Sequence, residues 1–329
     1  MIKRRIGATL AVLFPLVALP LTSWAQAPPV SVDNANALLQ ESLLATSLKS
    51  SAKQPFRLTS TVKYKVEGAT LTGRVEIVFA APDRYRLNVT VGKVSETQIA
   101  RGDKLYISRS PKNFSAESWR IAEFLWWPGA GLQTPPKLTV GRETTYPIVK
   151  VADNCEEESD VLRVRKACFD PSQGMTSFTV HDVQGSRLTE DVVSLSDFQS
   201  LGAYRYPRRL TKKSIWDTID ATVESFVAQS AFDENTFAPP ANSIERDWCA
   251  SPVPISNGSR PRAAVTYALY VYYVLVGADG RAKKLSFVND PTQFALPQAR
   301  QGLESKRYPI LACSGKPIEY EMVVITNAL

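Results

Sequence analysis

Between residues 56 and 229 the chain alternates apolar and polar positions with a period of two, in short runs parted by turn residues, the pattern of strands with one buried face. The runs are Phe56 to Tyr64, Thr70 to Phe79, Arg84 to Thr90, Ser95 to Arg101 and Lys104 to Ser108, followed by Glu143 to Ala152, Val161 to Phe169, Met175 to Asp182, Glu190 to Phe198, Arg208 to Ser214 and Thr218 to Gln229. Glu67-Gly68, Ala81-Pro82-Asp83, Val91-Gly92 and Arg101-Gly102-Asp103 separate the first five at the spacing of an antiparallel meander. The period becomes helical twice. Over Val32 to Leu48, Ala37, Leu38, Leu44, Ala45 and Leu48 share a face, and Ser115 to Leu132 carries Trp119, Ile121, Phe124, Leu125, Trp126 and Trp127. About eleven strands are too many for a flat open sheet, so residues 28–242 are expected to form a mainly β (α+β) domain, a curled, barrel-like sheet with helices on its concave side.

The pattern restarts at Trp248, after the Pro239-Pro240 pair, and residues 247–329 read as a second, small unit. Its first strand, Thr266 to Val276, is nearly all aromatic or β-branched. Gly277-Ala278-Asp279-Gly280 supplies the positive-φ positions of a tight turn into a second strand, Lys284 to Asn289. Phe294, Ala295, Ala299 and Leu303 then fall at helical spacing between Thr292 and Lys306, and Tyr308-Pro309 ends that helix because proline cannot continue it. Gly315-Lys316-Pro317 leads into a last strand, Ile318 to Ile325.

Gly277-Ala278-Asp279-Gly280-Arg281, the helix ending Lys306-Arg307-Tyr308-Pro309, and Gly315-Lys316-Pro317-Ile318 before a terminal strand resemble the TonB C-terminal domain. The resemblance implies a β-β-α-β unit in the periplasm that captures a segment of an outer-membrane transporter as an added strand. An open sheet edge offers unpaired N–H and C=O groups, and a peptide laid along it gains a ladder of hydrogen bonds. On this resemblance Ile318, Tyr320, Met322 and Val324 of the last strand are the candidate partner-binding positions. The chain departs from the family at Ser251-Pro252-Val253-Pro254, where a Tyr-Pro segment is usual, and at Ser305-Lys306, where a Trp is usual. A strand-rich unit that stabilises the chain and binds nothing is the alternative.

The larger unit carries a second resemblance. Thr72-Gly73-Arg74-Val75, Phe79-Ala80-Ala81-Pro82-Asp83-Arg84-Tyr85-Arg86-Leu87, Arg101-Gly102-Asp103-Lys104-Leu105-Tyr106, Leu195-Ser196-Asp197-Phe198 with Tyr206-Pro207-Arg208-Arg209-Leu210, and Phe232-Asp233-Glu234-Asn235-Thr236-Phe237-Ala238-Pro239-Pro240 are similar to segments of the LolA and LolB lipoprotein-carrier superfamily. That resemblance implies an unclosed β-barrel under a helical lid, holding acylated lipoproteins or other apolar ligands. Ala81 stands where the dedicated carrier has an arginine tied to lid opening. Trp119, Phe124, Trp126 and Trp127, on the expected lid, are the candidate cavity residues, since rings there can cover an acyl chain worth about 0.8 kcal/mol per buried methylene. The same helix packed on a sheet as plain core is the competing reading.

Composition bears on the compartment. Lys3, Arg4 and Arg5, an apolar run from Ile6 to Leu21, and Ser23-Trp24-Ala25-Gln26-Ala27 read as a signal peptide over residues 1–27 cleaved near Ala27, giving a periplasmic protein. The alternative is an uncleaved anchor in the inner membrane facing the periplasm. The four cysteines fall as Cys155 and Cys168, then Cys249 and Cys313, and the preferred pairing is local, one bridge in each unit. The formal charge of +7 includes three positive charges in the leader, so the mature chain carries 7 − 3, or about +4. Arg205, Arg208, Arg209, Lys212 and Lys213 form the one visible basic cluster, read as a solvated strand face or as a patch for anionic lipid or an acidic partner; nucleic acid is not an expected partner.

Motifs for chemistry are scarce. The sequence holds neither a Gly-x-Ser-x-Gly elbow nor a phosphate-cradling Gly-x-x-x-x-Gly-Lys, has a single histidine, His181, and has no Cys-x-x-Cys pair. The acidic run Asp153, Glu156, Glu157, Glu158 and Asp160 reads as a solvated hairpin loop rather than a calcium site. A non-enzymatic binding protein without cofactor or metal is expected. It would be a carrier-like barrel coupled to a strand-capturing tail, a carrier with a purely structural tail, or a membrane-anchored transducer.

Overall fold

The computed structural model describes residues 44–48, 54–66, 68–128, 155–159, 163–170, 174–184, 187–214, 217–249, 252–256, 269–289 and 297–327. Outside them lie the leader, all but the last five residues of the expected Val32–Leu48 helix, and the expected strand Glu143–Ala152. Twelve antiparallel strands form one sheet: β1 (Phe56–Val66), β2 (Ala69–Ala81), β3 (Arg84–Val91), β4 (Val94–Arg101), β5 (Lys104–Ser110), β6 (Cys155–Ser159), β7 (Arg163–Asp170), β8 (Gly174–Gln184), β9 (Arg187–Leu201), β10 (Tyr204–Lys213), β11 (Asp217–Ala228) and β12 (Ile244–Asp247). Their order is β12-β5-β4-β3-β2-β1-β11-β10-β9-β8-β7-β6. Two meanders are joined through β1 and β11, and β12 and β6 are left as edges among the described residues, so the sheet is not closed.

Period-two burial is plain in the middle of the sheet. On β1, Phe56, Leu58, Val62 and Tyr64 are buried while Arg57, Thr61, Lys63 and Lys65 are exposed, and β11 alternates in the same way. The buried faces make one core, which reaches from Val91 on β3 to Phe178 on β8. Helix α1 (Ala116–Trp126) covers this face and is the one α-helix of the larger unit placed whole among the described residues. Its N-cap Ser115 accepts a hydrogen bond from the Ser118 amide, and Glu117 in the first turn suits the positive end of the helix dipole.

Sharp coiling needs a residue without a side chain where strands crowd. A Cβ on Gly73, in mid β2, would stand 2.1 Å from the main-chain oxygen of Thr90 on β3. The opposite face of β2 to β4 is dry at one end. Val78 and Ile99 are buried there under Phe237, brought by a 3-10 turn (Glu234–Phe237) of the segment that leads from β11 to β12. Arg84 lies over the Phe237 ring at 5.0 Å and pairs with Glu234, and Arg86 donates to the Thr236 carbonyl. The segments Phe79–Leu87 and Phe232–Pro240 are therefore partners in space: a strap and its seat.

Residues 244–247, at the expected boundary, form edge strand β12, paired with β5, and Trp248 follows with its amide on the Asp103 carbonyl. The tail has two three-stranded sheets. One is β13 (Val253–Ser256), β16 (Ile310–Cys313) and β17 (Lys316–Pro317); the other has the order β15-β14-β18, from β14 (Leu269–Val276), β15 (Ala282–Asn289) and β18 (Tyr320–Asn327). Helix α2 (Pro297–Ser305) packs on the second. Cys249 and Cys313 are bonded, as the local pairing expects, and tie the end of the large sheet to β16. Cys155 stands opposite Cys168 in the β6/β7 register, and Cys168 is disulfide-bonded.

Gly280 explains how two tail motifs act together. It adopts φ +72° and its carbonyl accepts the Tyr308 amide, while a Cβ there would lie 2.7 Å from the Tyr308 carbonyl oxygen. The hairpin turn thus locks onto the residue that ends α2. One expectation is corrected: the acidic run is not all hairpin loop, because Cys155–Ser159 is strand β6. Its register sets Glu157 opposite Lys166 and Glu158 opposite Arg165, and opposite charges across a strand pair favour pairing. The Gly73→Ala substitution is expected to destabilise the fold by about 1–3 kcal/mol, read as a lower urea midpoint, since the methyl must displace main chain rather than a side-chain tip.

Candidate functional site

The site worth building is the concave face beneath α1. Eight rings run along one rim of it in unbroken contact. Trp248 meets Tyr85 at 6.0 Å between centroids, Tyr85 meets Trp126 at 5.3 Å, and Trp126 meets Phe79 at 6.1 Å. Phe79 stacks on Phe56 at 5.2 Å, Phe56 meets Tyr204 and Phe226 edge-on at 5.3 and 5.2 Å, and Tyr206 closes the arc against Phe226. Hairpin registry assembles the arc: Phe56 pairs with Phe79 and Phe79 with Tyr85, so one row of three strands holds three rings on the same face.

Helix α1 is fastened to both halves of the sheet by polar ties. Tyr206 donates its buried hydroxyl to the Leu125 carbonyl, near the helix C-terminus. Arg120 pairs with Asp217 of β11, which also accepts from Tyr64 of β1 at 3.0 Å and from Ser214 at 2.7 Å. Burial would push the Asp217 carboxyl up, but the Arg120 charge and the donated hydrogen bonds outweigh it and hold the group below the usual carboxylate range. At the helix N-terminus Ser118 donates to Glu96 of β4 at 2.9 Å.

The tail joins the site through that glutamate. Glu96 is 4 % exposed and receives Arg109 of β5, itself 7 % exposed, at 3.1 Å; Arg109 also grips Glu321 of β18 at 2.6 Å. Arg246 of β12 pairs with Glu319 and approaches Glu321 at 3.5 Å, and Lys283 reaches Glu319 at 2.6 Å. Phe114, just before α1, stacks on Tyr273 of β14 at 4.2 Å. One face of the tail sheet therefore rests on the large unit, and the other, with Tyr272, Val274, Val276 and Val324, rests on Leu303 of α2 and on Tyr308. This two-sided burial explains why β14 is apolar almost without alternation.

The residues singled out from sequence divide unevenly. Trp126 is part of the arc, Phe124 is buried in the same core, and Trp119 is half-buried on α1. Trp127 forms the helix C-cap, with its indole N–H buried and without a partner among the described residues. The Tyr204 hydroxyl is likewise buried and unpartnered among them. Ile318 and Val324 are buried, and Tyr320 and Met322 are half-buried against the tail core. The strand aromatics and the Glu96–Arg109–Glu321 joint escape the sequence reading. Tyr204-x-Tyr206 and the Phe56–Phe79 register are the signals in it that point to the arc.

No protein-family model matches the sequence, and no curated protein does. Among solved structures the chain is similar to a putative outer membrane lipoprotein-sorting protein domain from Vibrio parahaemolyticus, at 9 % identity and TM-score 0.37, over 63 % of this chain and 97 % of that one. It is similar to a LolA superfamily protein from Nitrosomonas europaea, at 9 % identity and TM-score 0.30, over 62 % and 97 %. A third is a DUF1329 family protein from Desulfovibrio piger, at 10 % identity and TM-score 0.34, over 64 % and 97 %. What this chain binds has to be read from its own site. None of the described helices is long and apolar enough to cross a membrane.

Two expectations follow from the joint. Arg109→Leu leaves Glu96 and Glu321 buried without their shared cation and should cost about 3–5 kcal/mol in urea unfolding. Acid should act in the same direction. Burial pushes the Glu321 carboxyl up, yet the Arg109 hydrogen bond and charge hold it below its ordinary value, as Arg120 does for Asp217. Their contribution is complete above an unfolded-state pKa of about 4 and is lost as the pH falls through the lower folded-state values. Unfolding free energy should accordingly drop below about pH 4, with a smaller drop in Glu321→Gln.

Proposed function

We propose that this protein is a non-enzymatic, periplasmic binding protein of the carrier type, which takes an acyl-bearing ligand onto the concave face beneath α1. The observation that carries the reading is a buried donor left over on the aromatic arc. The Tyr204 hydroxyl has no partner among the described residues, and an unpaired buried donor costs about 1–3 kcal/mol, a penalty that a ligand's ester or carboxyl oxygen would relieve. The unclosed sheet supports it further, with α1 held to it by three polar ties, Arg120–Asp217, Tyr206–Leu125 and Ser118–Glu96, and by the apolar face that a ligand would replace. Freed of α1, which takes Trp126 with it, the face would present Tyr85, Phe79, Phe56, Tyr204, Phe226 and Tyr206 to a hydrocarbon chain.

In the same reading β18 receives an extended segment of an outer-membrane partner as an added strand. It pairs with β14 on one side and with no described strand on the other, which supports main-chain recognition. A purely structural tail is the second reading, favoured by the use of Tyr320, Met322 and Val324 in the core and of Glu319 and Glu321 in the joint. The membrane-anchored transducer rests on Met1 to Leu21, outside the described residues.

Titration with a fluorescent fatty acid tests the carrier reading. The mature chain should bind it with blue-shifted emission, and Tyr204→Phe should be as stable as the parent or more so while binding several-fold more weakly. Absence of uptake by the parent would end the reading. Equal affinity in Tyr204→Phe would remove the hydroxyl from it. Extended peptides from outer-membrane transporters, titrated against the full mature chain, separate the two readings of the tail: saturable binding that shifts β18 amide resonances supports strand addition, and none supports the structural role.

A further inference from the structure

The exposed face of the sheet, opposite α1, carries a charge pattern that neither ligand binding nor the tail uses. At the end of β2, β1, β11 and β10 away from the Phe237 strap, three successive rows of outward positions are aligned across the four strands. Lys65 and Lys213 stand on β1 and β10 in the first row, Lys63 on β1 in the second, and Arg74 and Arg209 flank the third. Asp220 is the single carboxylate among the twelve positions, and the remaining six are threonines, so no apolar side chain interrupts the face. Lys63, Lys65, Arg209 and Lys213 are exposed and hold no ion pair among the described residues; Arg74 has Glu224 at 3.7 Å. With strands about 4.8 Å apart and same-face residues about 7 Å apart, the cations lie within a patch of roughly 15 by 14 Å.

We infer that this face docks on an anionic lipid surface. Charge complementarity chooses the sign of the partner, and the texture of the face chooses its kind. A protein interface of ordinary strength needs an apolar, shape-complementary centre, whereas a charged bilayer needs only cations held at one level with nothing protruding between them. Threonine supplies such short, hydrogen-bonding spacers, and the pleat lifts all five cations to the same side. Of the basic cluster in the sequence, Arg209 and Lys213 belong to these three rows, and Lys63, Lys65 and Arg74 join them by strand pairing.

Co-sedimentation of the mature full-length chain with vesicles tests the inference. Vesicles containing phosphatidylglycerol should bring the protein down at low salt, pure phosphatidylcholine vesicles should not, and raised salt should release it. Neutralising Lys63, Lys65, Arg209 and Lys213 together to Gln should lower the partition by about 600-fold, at about fivefold per cation, with an unchanged melting temperature. A charge-matched control, with Arg101, Arg281, Lys284 and Arg300 changed to Gln, should lose far less. Equal binding to the two vesicle types, equal loss in the two variants, or binding to polyglutamate without vesicle binding would each overturn the proposal, the last in favour of an acidic protein.

Discussion

Arg109 is the constraint around which the molecule is assembled. A guanidinium held at 7 % exposure is tolerable only when its hydrogen bonds are answered, and the two carboxylates that answer it come from different parts of the chain, Glu96 on β4 and Glu321 on β18. Glu96 in turn accepts from Ser118 on the covering helix. The cation therefore fixes three things together: the register of β4 on β5, the seat of the helix N-terminus and the placement of the tail. Such a site adds little to stability over an apolar replacement, but it penalises any arrangement in which one partner is missing. Its value is in specifying the assembly.

That constraint changes the meaning of the tail. A unit joined by a flexible linker would keep its own surface; here the chain runs from an edge strand of the large sheet through Trp248, packed on Tyr85, into the disulfide at Cys249. The tail sheet is then clamped between α2 and the large unit. Helix α1 and strand β18 touch the same buried ionic group, so a ligand that lifts the helix and a strand that pulls on β18 act on one set of charges. Linkage requires such effects to be reciprocal where they exist.

The legible part of the fold is the part governed by local rules. Hairpins with alternating burial and Gly turns, such as β1 to β5, follow from periodicity and turn chemistry, and their ends are found to within a few residues. Strand β12 is not legible in this way: Ile244-Glu245-Arg246-Asp247 has one apolar residue and exists because β5 offers an edge and Lys104 takes up Glu245 and Asp247. β6 escapes for a like reason, its three glutamates having no period to detect. Trp126 stands out among the lid tryptophans, but its neighbours Phe79 and Tyr85 become a site only after registry aligns them. The ionic joint is illegible altogether, since Arg109 and Glu321 are 212 residues apart and look like any two charged residues.

The same distinction governs what β18 can recognise. Tyr320, Met322 and Val324 on one face pack into the core under α2, while Glu321 on the other face, and Glu319 just before the strand, meet the cations of the joint. What is left is the main-chain edge, which reads extended conformation and hardly reads sequence. Selectivity for one segment over another would have to come from groups beside the strand rather than on it. On the proposed reading a partner strand would meet the backbone of β18 between side chains that the tail core already holds.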